Sequence, residues 1–472
     1  MTAQHAAPAR PARTRIRKGP VVWMACLLFA ICFEGLARKY VTGPDAFFYF
    51  LKDGVLLIGL LRYGIQRDVL KSAQWAYGLF ILAMAGAFLW TIMQTMNPEH
   101  RSPILAFVGL RAYWLWWIAP LVIASAIRTA EQRDRVVAVL IFTCFVVAVV
   151  AAVQFVQPRE AAINAYAWDE TDATGPAIVS TTERVRVSST FSYLTGFTGF
   201  VVLAPGLLLG LAFSQSKTWI RRLAFAAVVA LVVVTPMSGS RSPMVKSGVF
   251  LAIVVLSSGL IRSRAARRAV AAAIVALPLT VLLAPQAVQG VADRWEGPDT
   301  RQRLLEPLYV LPPVAIGTFE FPTMGIGTGM QQTARVALGV RAPYNIEPAE
   351  GRYLVELGLV GYLLFWLARI GLVVALIKAG TRLRRAGRRG IGGACFGFAL
   401  LTMFSNFAFD HVWQALYFTG LGLYLRALHE ARTEANQRTL ARARQPLLPQ
   451  RATPAPAVHT SRHALHQDGG SR

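Results

Sequence analysis

Along the chain, apolar residues gather in blocks long enough to cross a bilayer, and polar residues gather in the connections between them. A spanning helix needs about 20 mostly apolar residues. Twelve blocks can house one, near 20–37, 46–63, 73–93, 103–127, 136–156, 191–213, 223–237, 243–261, 269–285, 351–377, 391–409 and 412–428. The pattern predicts an all-α fold, a polytopic transmembrane helical bundle of about 12 spans. The first block follows Arg13, Arg15, Arg17 and Lys18, as a signal peptide would. Glu34-Gly35-Leu36-Ala37-Arg38-Lys39 comes next instead of a small-residue cleavage site, so an uncleaved first span is expected.

Basic residues set the orientation. With the N-terminus inside, the inner connections carry Arg62/Arg67/Lys71, Arg128/Arg133/Arg135, Lys217/Arg221/Arg222 and Arg262/Arg264/Arg267/Arg268, then six basic residues from Lys378 to Arg389. The short outer connections at 94–102 and 238–242 carry one Arg each. Positive residues are retained on the cytoplasmic side. Both termini are therefore expected to be cytoplasmic, with two long segments, about 157–190 and 286–350, outside. Residues 1–19 then form a basic N-terminal tail, 20–428 the transmembrane domain, and 429–472 a disordered cytoplasmic tail rich in Ala, Arg, Pro and Gln.

Composition narrows the class further. Only 15% of residues are charged, 55% are hydrophobic and the mean hydropathy is +0.45, which excludes an ordinary soluble enzyme and a disordered chain. A net charge of +25 would suit nucleic acid if it formed one face or groove. Here it lies in clusters between apolar blocks, so membrane lipids, and no nucleic acid, are the expected partners. Cys26, Cys32, Cys144 and Cys395 all fall in apolar segments without metal-ligand spacing and read as small buried hydrophobes.

Candidate chemistry lies in the outer segments, because the other connections are short enough merely to link helices. The first long segment ends in Glu183, Arg184 and Arg186 before Val187-Ser188-Ser189-Thr190-Phe191. The second holds Arg294, Arg301 and Arg303, the run Gly325-Ile326-Gly327-Thr328-Gly329, then Arg335, Arg341, Glu347, Glu350, Arg352 and Glu356. Between them lies the tight turn Ser238-Gly239-Ser240-Arg241-Ser242-Pro243. Arginine outside the cytoplasmic face is not needed for orientation, and its planar fork matches phosphate oxygens. Arg241 stands out, being placed where two spans meet.

Within the spans, Glu34 can pair with Arg38 one turn on, and Lys52 with Asp53. Arg111, Lys246 and Arg369 have no partner nearby in sequence, so they are either functional or paired between helices. Asp410-His411, between the last two spans, is a titratable pair near the outer surface. Neither long outer segment contains a histidine, so neither a zinc site nor a Ser-His-Asp triad is expected there.

At these residues the chain resembles the O-antigen ligase and polymerase superfamily of bacterial membrane glycosyltransferases. Arg186-Val187-Ser188-Ser189-Thr190-Phe191 is similar to the family's Arg-x-x-Gly-Thr-Phe leading into a span, with Ser189 in place of Gly. Ser240-Arg241-Ser242 resembles its Ser-Arg turn. Gly325-Ile326-Gly327 and then Glu356-Leu357-Gly358-Leu359-Val360-Gly361 resemble its Gly-x-Gly followed by Glu-x-Gly-x-x-Gly. Glu34-Gly35 through Arg38-Lys39, with Tyr49-Phe50-Leu51-Lys52-Asp53, resembles an exopolysaccharide subgroup, and the resemblance covers roughly 20–428. The His-Asn that many members carry before Glu-x-Gly is replaced by Tyr344-Asn345-Ile346-Glu347-Pro348-Ala349-Glu350.

The resemblance implies a metal-independent glycosyltransferase without cofactor, acting at the periplasmic face of the inner membrane. Its donor would be a polyprenyl-diphosphate-linked glycan and its acceptor a sugar hydroxyl. Arg241 and Arg186 would stabilise the diphosphate, with Arg184, Arg294, Arg301, Arg303 and Arg341 as further binding residues, and Glu350 or Glu347 would take the acceptor's proton. The missing histidine and the exopolysaccharide-like stretch favour a polymerase. A ligase acting on lipid A core, a lipid-linked oligosaccharide flippase and an inactive assembly scaffold are the rival expectations. A partner flippase or chain-length regulator is left open.

Overall fold

The computed structural model describes residues 18–41, 45–73, 79–100, 102–165, 184–213, 217–258, 282, 285–296, 306–332, 335, 338–341, 344, 346–404 and 407–444. The ninth expected span, the middle of the first outer segment and the two chain ends fall largely or wholly outside them. Every regular element among the described residues is helical: α1 (Gly19–Cys32), α2 (Glu34–Tyr40), α3 (Asp45–Tyr63), α4 (Arg67–Ala73), α5 (Leu79–Thr95), α6 (Pro103–Trp114), α7 (Ala119–Ala126), α8 (Ala130–Val156), α9 (Leu194–Ala212), α10 (Thr218–Val234), α11 (Arg241–Ser257), α12 (Pro285–Glu296), α13 (Pro312–Thr318), α14 (Ala349–Arg385), α15 (Arg389–Met403) and α16 (His411–Arg444). Among the described residues, five stretches are long and apolar enough to cross a membrane: 103–126, 130–156, 194–212, 218–238 and 349–385. They become six if α1 and α2, bent by 62° at their junction, count as one.

α9 is the central helix. It is apolar all round, and 89% of its spanning window is buried, against 44–56% for the other four candidate spans. A helix without a polar face belongs inside a bundle. α9 meets α11 and α15 around Phe250. A Cβ on Gly206 would come 2.5 Å from the Phe250 ring and one on Gly397 2.0 Å, so both glycines are required for this approach.

Three expectations change. The first span is not straight: it breaks at Phe33, and the strap Thr190–Ser192 enters the break, where Leu36 N donates to Thr190 O at 3.1 Å. The long outer segment is not a plain loop, since it contains α12, α13 and a 3-10 turn at Glu306–Val310. Finally, the expected disorder from residue 429 does not begin there, because α16 runs on to Arg444. Ala431, Glu434, Ala435, Gln437, Leu440 and Ala441 are strong helix formers, and the first proline after them is Pro446. The contacts divide the chain at Ala431, and the described residues beyond it, to Arg444, are the last stretch of this helix.

Candidate functional site

α10 ends in a 3-10 turn, Thr235–Ser238, closed by Gly239 in the left-handed region (φ 59°), and α11 begins at Arg241. The strap before α9 docks onto this turn: Val187 N donates to Met237 O at 3.2 Å, and Arg186 Nε donates to Ser238 O at 3.1 Å. A second guanidinium nitrogen of Arg186 donates to Ser240 Oγ. The Arg241 guanidinium lies over the Trp295 ring of α12, 5.5 Å from its centroid. Arg184 donates to Val156 O at 2.9 Å, at the end of α8, and to Gln286 Oε1 of α12 at 2.7 Å. Arg186 and Arg241, far apart in sequence, therefore meet at one turn, while Arg184 reaches the end of α8 and the start of α12.

The remaining expected residues divide. Arg301, Arg303 and the side chain of Arg294 lie outside the described residues. Arg341 and Glu347 are exposed, and no contact among the described residues joins either to the arginine turn. Glu350 is buried and receives a 2.6 Å hydrogen bond from Arg369. Nineteen residues of straight helix would put that pair about 28 Å apart. They meet because α14 reverses at Gly358 (φ 66°, ψ −174°).

That reversal joins the two glycine motifs. Ile326 N donates to Val355 O at 2.9 Å, Gly327 N to Glu356 O at 3.2 Å, and Leu359 N to Thr323 O at 3.0 Å. The Glu356 carboxylate is wholly buried, accepting from the Tyr113 hydroxyl at 2.9 Å and from Gln331 N at 2.5 Å. In the strap, Ser189 has φ 53°, while its amide and hydroxyl bond Gln154 Oε1 (2.6 Å) and Val147 O (2.7 Å).

Sequence-local pairing of the intraspan charges was the wrong expectation. Lys52 donates to Glu34 rather than pairing with Asp53, and Asp53 accepts from Arg111 Nε at 2.6 Å and Trp116 Nε1 at 3.1 Å. Arg111 and Arg369 are thus paired across helical segments, one of the two readings open for them. Adjacent residues on a helix point about 100° apart, so Lys52 and Asp53 reach different neighbours. Tyr49 lies between the cations of Lys52 and Arg111, each 4.8 Å from its centroid, with His411 edge-on at 5.4 Å. Glu34 also accepts from Ser192 Oγ at 3.3 Å, which ties this cluster to the strap. Beside it, the partly buried Asp410 accepts from Trp413 N at 3.0 Å, and Lys246 of α11 lies 6.0 Å over the Trp413 ring. Burial pushes the Asp410 carboxyl up to about 6 despite the Trp413 and Val412 amides and nearby Lys246.

Sequence reading left pairing between helices open for Arg111 and Arg369 but could not name the partners, because side-chain direction decides them. Tyr49 and Trp116 carried no signal separating them from other interfacial aromatics. Among the described residues, no group of three or more His, Cys, Asp or Glu is placed to hold a metal ion. A half-open apolar cavity of about 460 Å³ lies between α5, α7, α14, α15 and α16, lined by Met84, Leu121, Leu376, Cys395, Leu421 and Leu428. Its lining includes no residue of the arginine turn. Comparison with known proteins gives no match, either to a family model or significantly to a curated protein.

Proposed function

We propose that the chain is a metal-independent membrane glycosyltransferase that polymerises polyprenyl-diphosphate-linked oligosaccharide repeat units at the periplasmic face of a bacterial inner membrane. The observation that carries this reading is the attachment of Arg186 to the Ser238–Ser240 turn, which sets two arginines around the start of α11. Paired guanidiniums suit a diphosphate, and a helix N-terminus with no acidic residue in its first turn adds favourable potential. The motif geometry supports the resemblance as well. Ser189 holds a backbone conformation natural to the glycine that the family has there, and Gly-x-Gly and Glu-x-Gly are two halves of one packed unit. The proposal includes twelve spans and cytoplasmic termini, supported by the distribution of Lys and Arg.

In this reading the acceptor hydroxyl attacks the anomeric carbon, the bond to the diphosphate oxygen breaks, and the arginines stabilise the departing charge. The hydroxyl proton goes to a carboxylate. Asp410 suits this role better than Glu350, which is bound to Arg369, or the exposed Glu347, because it lies near Lys246 of the helix that Arg241 starts. A carboxyl near 6 is a competent base at neutral pH.

Purified protein given a lipid-linked repeat unit should produce a ladder of glycolipids on electrophoresis. Arg241→Ala, at normal abundance, should lower its rate by about 100-fold or more, as loss of a transition-state charge partner does. An undiminished ladder removes Arg241 from the mechanism. A single new band that needs lipid A core indicates a ligase, and labelled lipid crossing liposomes without product indicates a transporter. The pH profile tests the base: the rate should fall as pH drops through about 6, where Asp410 becomes protonated, and Asp410→Asn should be slow throughout. A profile flat between about pH 5 and 8 would exclude Asp410 from proton transfer.

A further inference from the structure

α5, α7, α14, α15 and α16 surround the half-open apolar cavity without closing it. Small side chains keep it open: Ala85 of α5 and Ala375 and Ala379 of α14 line it where larger residues would fill the space. Its wall on α16 runs from Phe418 to Leu428, about 15 Å along the helix. The hydrocarbon core of a bilayer is about 30 Å thick, so the cavity is as long as the acyl layer of one leaflet.

One end of the cavity lies at a basic rim. Arg388, between α14 and α15, donates to Ala427 O at 3.1 Å, which sets Leu428 beside the last turns of α14. Ser72 Oγ and His429 Nδ1 are 2.8 Å apart, which brings α4, with its lining residue Leu70, to the same end. Residues three apart share a helix face. Arg382 follows Ala379, the last lining residue of α14, by that spacing, and Arg67 precedes Leu70 by it. Lys71 and Lys378 adjoin Leu70 and Ala379, and all four basic residues are exposed, with Asp68 the one carboxylate on these two stretches. Such a rim attracts an anionic headgroup.

Apolar walls give water no hydrogen bonds, and an empty space beside them forfeits dispersion contacts. Among membrane-spanning helices, hydrocarbon is the material that fills it. We propose that the cavity holds one acyl chain of an anionic phospholipid, whose headgroup phosphate lies at the rim formed by Arg67, Lys71, Lys378 and Arg382. The chain is held between helices, apart from the lipid that merely surrounds the bundle. The site shares no residue with the arginine turn or with Asp410, so it stands or falls independently of the glycosyltransferase reading.

The test places the full chain in phosphatidylcholine nanodiscs containing a little phosphatidylglycerol with a diazirine near the end of one acyl chain. After illumination, peptide mass spectrometry maps the adducts. Leu376, Cys395 and Leu421 are buried and line the cavity, whereas Leu82 and Leu89 are exposed on α5 and report the surrounding bilayer. Adducts on the first three are expected, and excess unlabelled phosphatidylglycerol should remove them while those on Leu82 and Leu89 persist. Ala379→Phe, which fills the cavity, should lower the interior adducts by about tenfold or more. Arg382→Gln should reduce the preference for phosphatidylglycerol over phosphatidylcholine by about fivefold. If Ala379→Phe does not fold, the competition on the unaltered chain decides. Adducts confined to Leu82 and Leu89, or interior adducts formed equally by diazirine phosphatidylcholine, overturn the proposal. Interior adducts removed by a polyprenyl phosphate but not by phosphatidylglycerol overturn it too, and give the cavity to a substrate tail.

Discussion

Gly358→Ala is expected to abolish accumulation of folded protein. At φ 66° and ψ −174° the backbone occupies a region essentially closed to residues with a Cβ, at a cost of about 1–3 kcal/mol before any contact is counted. The contacts add to it. A Cβ there would lie 2.4 Å from Thr323 O and 2.5 Å from Met324 C, both backbone atoms that cannot rotate away. Relief would require parting the glycine run from the reversal and losing the hydrogen bonds at Val355, Glu356 and Leu359. Glu350 and Arg369 would then separate, breaking a buried ion pair. Gly248→Ala is the internal control: a Cβ there meets nothing within 4 Å, and alanine in a helix interior is favoured by roughly 1 kcal/mol. Membrane abundance and the monodisperse peak in detergent measure both. Normal yield and an unchanged Tm for Gly358→Ala would show that the reversal does not hold α14 together.

The helical class was legible because hydrophobic blocks and basic connections report directly on bilayer partitioning. The motif positions were legible too. Ser240-Arg241, Arg186 and the paired glycine motifs could be picked out in sequence, and the structure brings each set into contact. What stayed hidden depends on side-chain direction. Glu34 and Arg38 are spaced as a helical pair, yet the break at Phe33 and the neighbouring α3 give Glu34 to Lys52. The reversal at Gly358 was hidden as well, since glycines inside an apolar block resemble those of any close-packed spanning helix. Glu350 was chosen as a base on its neighbourhood in sequence. Only the reversal reveals that Arg369, nineteen positions away, already binds it.

Lys52→Met should destabilise the bundle by about 3–5 kcal/mol, the usual cost of removing one partner from a buried ion pair. Lys52 is fully buried, and its ammonium donates to Glu34 and to Tyr49 O. Without it, the side-chain hydrogen bond left to the Glu34 carboxylate among the described residues is the 3.3 Å one from Ser192. An isolated carboxylate among apolar helices is far more costly than an uncharged side chain of similar size. Lys52→Met with Glu34→Met should therefore recover most of the loss, giving a large coupling energy in a double-mutant cycle. Equal destabilisation of the single and double variants would mean that Lys52 matters through packing alone. The cycle also separates structure from chemistry. Lys52 shares Tyr49 with Arg111 and His411, close to the carboxylate proposed as base. A double variant that regains normal Tm together with a normal ladder would make the pair purely structural. Regained Tm without a ladder would place a functional charge at Lys52 or Glu34, because folding has then been restored and chemistry has not.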